Sequence, residues 1–345
     1  MMVRKFLLAA TVAMAAVVGL SATRASAETP QEFFKGKTIR ILIGHPPGGS
    51  YDVYARLAAN HLKKFMPGLS NILVEGRPGG GGVLAVQYFY HQAPHDGTML
   101  GVFPEVIANL QLTDPKIGKW DVAKMRYVGS MVPVTAIFVM GKTAKARTPE
   151  QMKTVANSVG CTGAASQSYQ TAALMKNLAH FKFNVTCGYK GGAELLLAVI
   201  RGEVDMASSA WPALVTEHQA DLKSGALTPV MQFGLKRIKE LPDVPLMQEV
   251  TDDPIAKKGI EFMAGGSEIG RALIAPPGIP DDRLQYLRDA FDKMVKDPDF
   301  LAEAKKIHAD IDTKTGAETQ KIAEDILATP KDAVDAATKA MVAGK

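Results

Sequence analysis

The chain has 345 residues, 47% of them hydrophobic and 22% charged, with a formal net charge of +5. That balance excludes a disordered polymer and supplies apolar side chains for real cores, and the length suits two ordinary domains. Three of the basic residues, Arg4, Lys5 and Arg24, fall in the first 27 positions, and without them the net charge drops from +5 to +2. The remainder gives no sign of a nucleic-acid partner, which wants a clustered basic face.

The chain opens as a leader. Arg4 and Lys5 precede an apolar run, Phe6 to Leu20, and Ala25-Ser26-Ala27 is a small-residue cleavage site. The run is too short to span a bilayer, so residues 1–27 read as a secretory signal peptide. The mature chain then begins at Glu28, has no cysteine there to carry a lipid, and is expected to be exported and soluble.

The first mature stretch, Thr38 to Asp52, reads as strand, tight turn and helix start. Ile39, Ile41, Leu42 and Ile43 suit a buried strand. Pro46 to Gly49 break it, and Ser50 or Asp52 can cap the following helix. Tyr54, Leu57, Ala58, His61, Leu62 and Phe65 then recur at helical spacing. Such a turn points backbone N–H groups off a sheet end and makes an anion site. Asn71 to Val74 is a second strand. The glycines Gly79 to Gly82 form another turn before an apolar helix, Val83 to Tyr90, and Thr98 to Phe103 is a third strand. Strands alternating with helices predict a parallel sheet.

Arg126 to Met140 is extended, is broken by Pro133, and reads as the crossing into a second domain. There Thr154 to Gly160 is a strand, and Cys161 to Ser168 a hydroxyl-rich turn. A helix to about His180, a strand from Phe183 to Cys187, and a helix from Ala193 to Arg201 closed by Gly202 follow. Val204 to Ala207 is a strand opening onto Ser208, Ser209, Ala210 and Trp211, and Leu227 to Phe233 returns towards the first domain. Asp281 or Asp282 caps a helix striped by Leu284, Leu287, Phe291 and Met294. The fold class expected is α/β, with two domains each built on a mostly parallel sheet flanked by helices, and crossing strands as a hinge. Domain 1 takes residues 28–132 and 234–345, and domain 2 takes 133–233. The ligand cleft lies between them, at the carboxyl ends of the strands.

The two cysteines, Cys161 and Cys187, each end an expected strand. In an oxidising compartment they can bridge; the alternative is two small buried thiols. No Gly-x-Ser-x-Gly elbow is present, and the seven histidines lack ligand spacing. Cys161 has no evident base beside it. No catalytic residue, metal or cofactor is therefore expected.

Several motifs carry a resemblance. They are Pro47-Gly48-Gly49-x-x-Asp52-x-x-Ala55-Arg56, Glu75-x-Arg77-Pro78-Gly79-x-Gly81-Gly82 and Asp96-Gly97-Thr98-x-Leu100. Tyr189-Lys190-Gly191, Gly202-x-Val204-Asp205, Leu241-Pro242-Asp243-Val244-Pro245 and Ala275-Pro276-Pro277-Gly278-x-Pro280 follow. In order and spacing this set resembles the solute-binding receptors of tripartite tricarboxylate transporters, the Bug family, across essentially the whole mature chain. The resemblance implies a periplasmic, type II-like "Venus flytrap" receptor. Such a receptor captures a small organic (di)carboxylate or aromatic acid and delivers it to the permease subunits of a tripartite transporter. A monomer is expected. A receptor feeding a signalling partner uses the same cleft, and an exported enzyme is the remaining alternative.

Carried over by position, the resemblance implies a first-domain carboxylate loop at Pro47, Gly48, Gly49, Ser50 and Asp52. It implies a second loop at Gly163, Ala164, Ala165, Ser166 and Gln167. Tyr189, Ser208 and Trp211 complete the expected site, with Trp211 stacking on a ligand ring or filling the interdomain seam. Asp52 either meets the ligand or caps its helix. The chain departs from the family at Gly76, at His95, at Gly160-Cys161-Thr162-Gly163, and near Gly265-Gly266-Ser267, where a tryptophan is usual. A helix N-terminus gives an anion up to about 2 kcal/mol, and a hydrogen bond to a charged group about 1.5–3. Micromolar binding takes about 8, so one turn falls short and a ligand held at both ends is expected.

Overall fold

The computed structural model describes residues 28–163 and 166–342; the expected signal peptide and the loop residues Ala164 and Ala165 lie outside the described residues. Strand β1 (Thr38–Ile43) buries Ile39, Ile41, Leu42 and Ile43, and exposes Arg40, which pairs with Glu75 at 3.2 Å. β2 (Asn71–Gly76) and β3 (Met99–Val102) flank β1 in parallel. The links are α1 (Ser50–Leu62) and α2 (Val83–Gln92), the helical crossovers that parallel neighbours require. A short helix, α3 (Ile107–Thr113), follows β3. β4 (Arg126–Ser130) lies further out in the same sheet, and β5 (Ala136–Met140) begins the other.

The second sheet adds β6 (Asn157–Cys161), α4 (Gln167–Leu178), β7 (Phe183–Cys187), α5 (Gly192–Arg201), β8 (Met206–Ala210), α6 (Trp211–Glu217) and β9 (Thr228–Phe233). The chain then forms α7 (Pro254–Ala264) and returns to the first sheet as β10 (Ala272–Ala275). It finishes with α8 (Asp281–Met294), α9 (Pro298–Lys306), β11 (Lys314–Thr315), α10 (Gly316–Leu327) and α11 (Lys331–Val342). The strand orders are β11-β4-β10-β3-β1-β2 and β7-β6-β8-β5-β9. This is the expected α/β fold on two sheets.

Most strands of each sheet run the same way, as expected, and each sheet also takes in strands of the opposite direction. β10 runs antiparallel to β3 and β4, and β5 antiparallel to β8 and β9. The strands on which the chain arrives in each sheet, β5 and β10, run against the strand-helix-strand units, whereas β4 and β9, on which it leaves, run with them. The crossing itself is stitched by backbone bonds. Arg271 N–H donates to Val132 at 2.9 Å, Met131 N–H to Arg271 at 3.1 Å, and Trp211 N–H to Thr135 at 2.9 Å.

Smaller shifts have local causes. β6 begins at Asn157, not Thr154, because the Asn157 amide bonds the Lys145 and Ala146 backbone at 2.8–3.1 Å and ends the preceding turn there. β8 extends through Ser208, Ser209 and Ala210, which are strand residues and not a loop. The N-cap of α8 is Pro280 with no side-chain bond; Asp281 and Asp282 instead sit in its first turn, where their charge still suits the helix dipole.

Cys161 and Cys187 form a disulfide, at the paired ends of parallel neighbours β6 and β7. One apolar cluster runs through both sheets, including Leu42 and Phe89 on one side and Phe138 and Met140 on the other. The last helix, α11, packs on α4 as well as α7. The Tyr169 hydroxyl donates to the Met341 carbonyl at 3.3 Å and the Asn177 amide to that of Ala340 at 2.6 Å.

Candidate functional site

β1 runs into Gly44, where an added Cβ would lie 2.7 Å from the Gly82 Cα, so the two first-sheet turns touch backbone to backbone. Gly79 to Gly82 all have positive φ, from 58 to 145°, a course that glycine follows without steric cost. The α1 N-cap is Gly49, without a side-chain bond. Ser50 therefore does not cap the helix. Its hydroxyl accepts from Arg271 Nε at 2.9 Å and Nη2 at 2.7 Å. Asp52 reaches back instead, accepting from Gly48 N–H at 3.3 Å and from Arg56 Nε at 2.9 Å. Among the described residues, the N–H groups of Ser50 and Tyr51 have no acceptor.

Between the sheets lies a pocket of about 100 Å³. Pro47, Gly49, Ser50 and Tyr51 form one wall, and Thr162, Ser166, Gln167, Ser168, Ser208 and Ser209 the other. Ser166 caps α4: it accepts from Tyr169 N–H at 3.3 Å, donates to the Gly163 carbonyl at 2.6 Å, and lies 2.9 Å from the Ser168 hydroxyl. Ser208 is 3% exposed, and its hydroxyl has no partner. The walls touch at the lip: a Cβ on Gly81 would lie 2.8 Å from Ser166 N, and one on Gly191 3.3 Å from Pro46 Cγ.

Of the residues singled out from sequence, Pro47, Gly49, Ser50, Ser166, Gln167 and Ser208 line this pocket. Gly48 is exposed beside it at φ 92°, Asp52 sits behind the turn, and Gly163 faces the Gly81 N–H across the lip. Tyr189 is half-buried against Gly160 and the cluster around Leu195, and does not line the pocket. Trp211 starts α6 and lines a different groove, with Leu301, Ala304 and Ile311.

Sequence reasoning missed the floor. Arg271 is 1% exposed, lines the pocket, and pairs with Glu105 (2% exposed) at 2.7 Å. Tyr51 donates to the same Glu105 oxygen at 3.1 Å, lies under the guanidinium at 3.9 Å, and stacks on His45 at 4.4 Å. Burial, helped by the Arg271 charge, lowers the His45 pKa to about 4. Burial and the Glu105 carboxylate push the Tyr51 hydroxyl well above its ordinary value. Burial opposes the Arg271 charge, but Tyr51 and Glu105 together hold its pKa up. The one signal available was a lone arginine abutting the apolar run Ala272–Ala275.

A floor of one buried cation, one turn of free N–H groups and a facing wall of hydroxyls is what a binding protein for a small acid presents. The chain matches the tripartite tricarboxylate transporter family receptor over residues 54–338, and it belongs to that family. A Cupriavidus necator protein, described as "UPF0065 protein in gbd 5'region", is 29% identical over 306 residues, 86% of each chain. The periplasmic binding protein BugD superposes with a TM-score of 0.69 at 18% identity, over 88% of this chain and 97% of that one. MatC from Rhodopseudomonas palustris with bound malate gives 0.69 at 19%, over 86% and 99%. An R. palustris protein with adipate gives 0.67 at 20%, over 87% and 97%. At these identities the structures establish the fold. Among the described residues no helix is long and apolar enough to cross a membrane.

Proposed function

We propose that this chain is an exported, periplasmic receptor that captures a small organic acid between its two sheets and hands it to the permease of a tripartite transporter. The observation that carries the reading is the pocket itself, where the free N–H groups at the start of α1 face the serine wall of α4 and β8. Backbone donors at a helix N-terminus favour a carboxylate, and the hydroxyls opposite suit the rest of the molecule. Family membership and the malate- and adipate-bound neighbours support an acid as ligand. In this reading residues 28–132 with 234–345 form one lobe and 133–233 the other. The segments between β4 and β5 and after β9 act as the hinge. The disulfide holds the root of the second-wall loop.

Native mass spectrometry of the protein taken from its periplasm, followed by a thermal-shift screen of mono-, di- and aromatic carboxylic acids, tests this. A co-purifying acid, and a rise in melting temperature with members of its class, is expected. Binding of a neutral sugar or a cation, with no response to any acid, would refute it.

A further inference from the structure

Arg271 belongs to neither of the two turns that form the pocket walls. Resting on the reading above, we propose that Arg271 is the specificity-determining residue of the pocket. Its guanidinium, with the Ser50 hydroxyl bonded to it, anchors the single carboxylate of a ligand whose other end is uncharged.

The donor arithmetic supports the anchor. A guanidinium carries five N–H groups. Arg271 commits Nε (2.9 Å) and one N–H of Nη2 (2.7 Å) to Ser50, and one N–H of Nη1 to Glu105 at 2.7 Å. The Tyr51 hydroxyl also bonds the guanidinium, which leaves one terminal N–H uncommitted for a carboxylate oxygen. Ser50 accepts twice from Arg271 and keeps its own proton to donate. The fork is also held in place. The Tyr51 ring packs against it at 3.9 Å and is itself clamped by His45 and by its bond to Glu105. A ligand therefore meets donors already oriented, without the entropy cost of ordering a long side chain.

The same floor limits the ligand to one negative charge. Glu105 offsets Arg271 in the empty pocket, and its second carboxylate oxygen is buried without a partner. His45 is neutral at physiological pH and adds no second cation. The facing wall supplies hydroxyls, including the unpartnered one of Ser208, and among the described residues no basic side chain lines the pocket there. Glu217 stands on that wall towards solvent, where it repels a second carboxylate. Glu105 is a positioning residue: it fixes the guanidinium and weakens the field that the ligand feels.

Calorimetry on ligand-stripped protein with matched pairs, succinate with succinamate and adipate with adipamate, separates the possibilities. The monoamides are expected to bind at least about tenfold more tightly than the diacids, and Glu217→Gln to narrow that gap. The double variant R271M/E105Q keeps the volume and removes both charges, so no buried charge is stranded. It is expected to fold and to lose about tenfold to a hundredfold in monoamide affinity. E105Q alone is expected to tighten acid binding, which a merely structural ion pair would not do. R271K keeps the charge without the fork and is expected to bind less tightly than wild type, covering the case in which the double variant does not fold. Diacids binding more tightly than monoamides, or R271M/E105Q or R271K binding as wild type, overturns the proposal alone. Wild-type protein that binds no acid overturns it together with the receptor reading.

Discussion

At the scale of single residues, Asp52 shows how a motif position acquires its role. Its carboxylate closes the turn onto Gly48 N–H and ties Arg56 one helical turn on, with its face to the back of the loop. Asp52→Asn is expected to cost about 0.3–1 kcal/mol of stability through the lost charge at the helix start. Urea denaturation reads that loss, while acid affinity stays within a few-fold. Gly81 is the opposite case. At φ 69°, and with Ser166 N where a Cβ would press at 2.8 Å, Gly81→Ala is expected to hold the lips apart and weaken acid binding by about tenfold. Wild-type affinity in that variant would show that the lips need not meet. His45 gives a pH dependence with a defined sign. Its folded pKa of about 4 lies below the unfolded 6.5, so the unfolded chain binds the extra proton. Stability contributed by neutral His45 is present above pH 6.5 and is lost as pH falls towards about 4. His45→Gln should remove that part of the slope in denaturation curves measured across this range.

At the scale of elements, the disulfide and the last helix carry the main expectations. Cys161 and Cys187 are separated by 26 positions, so on the chain-entropy account their bond stabilises the fold by about 3.5 kcal/mol. The double variant C161S/C187S should lose a comparable amount in urea, and unchanged stability would show that strand pairing alone sets the loop. Helix α11 buries Ala333, Ala337, Ala340 and Met341 against α4 and α7. Removing residues 331–345 should lower the melting temperature and expose apolar surface to a dye such as ANS. The strands and helices themselves were legible because periodicity is local: β1, α1, α4 and α5 follow the apolar spacing and the glycine stops. Their ends were less so. Asn157 sets its boundary through bonds to residues 11 and 12 positions back, so β6 starts late, and α8 starts after Pro280 without the aspartate cap its sequence suggests.

At the scale of the molecule, two mixed sheets share an apolar cluster and meet across one pocket whose lips touch. A receptor of this kind should be more open when empty. Small-angle scattering is expected to show a smaller radius of gyration once a bound acid is added to stripped protein. The amino-acid sequence by itself determined the α/β class, the two glycine-rich turns, the facing serine loop and the cysteine positions, since all of these depend on neighbours in the chain. Only the tertiary structure decided the direction of the crossing strands, the removal of Tyr189 and Trp211 from the pocket, and its charged floor. Arg271 lies 221 residues from Ser50 and 166 from Glu105. A contact over such distances is made by sheet pairing and packing, which bring together groups that have no local reason to meet. The buried cation beneath the first turn exists only because β10 returns beside β3, after the chain has built the second sheet and come back.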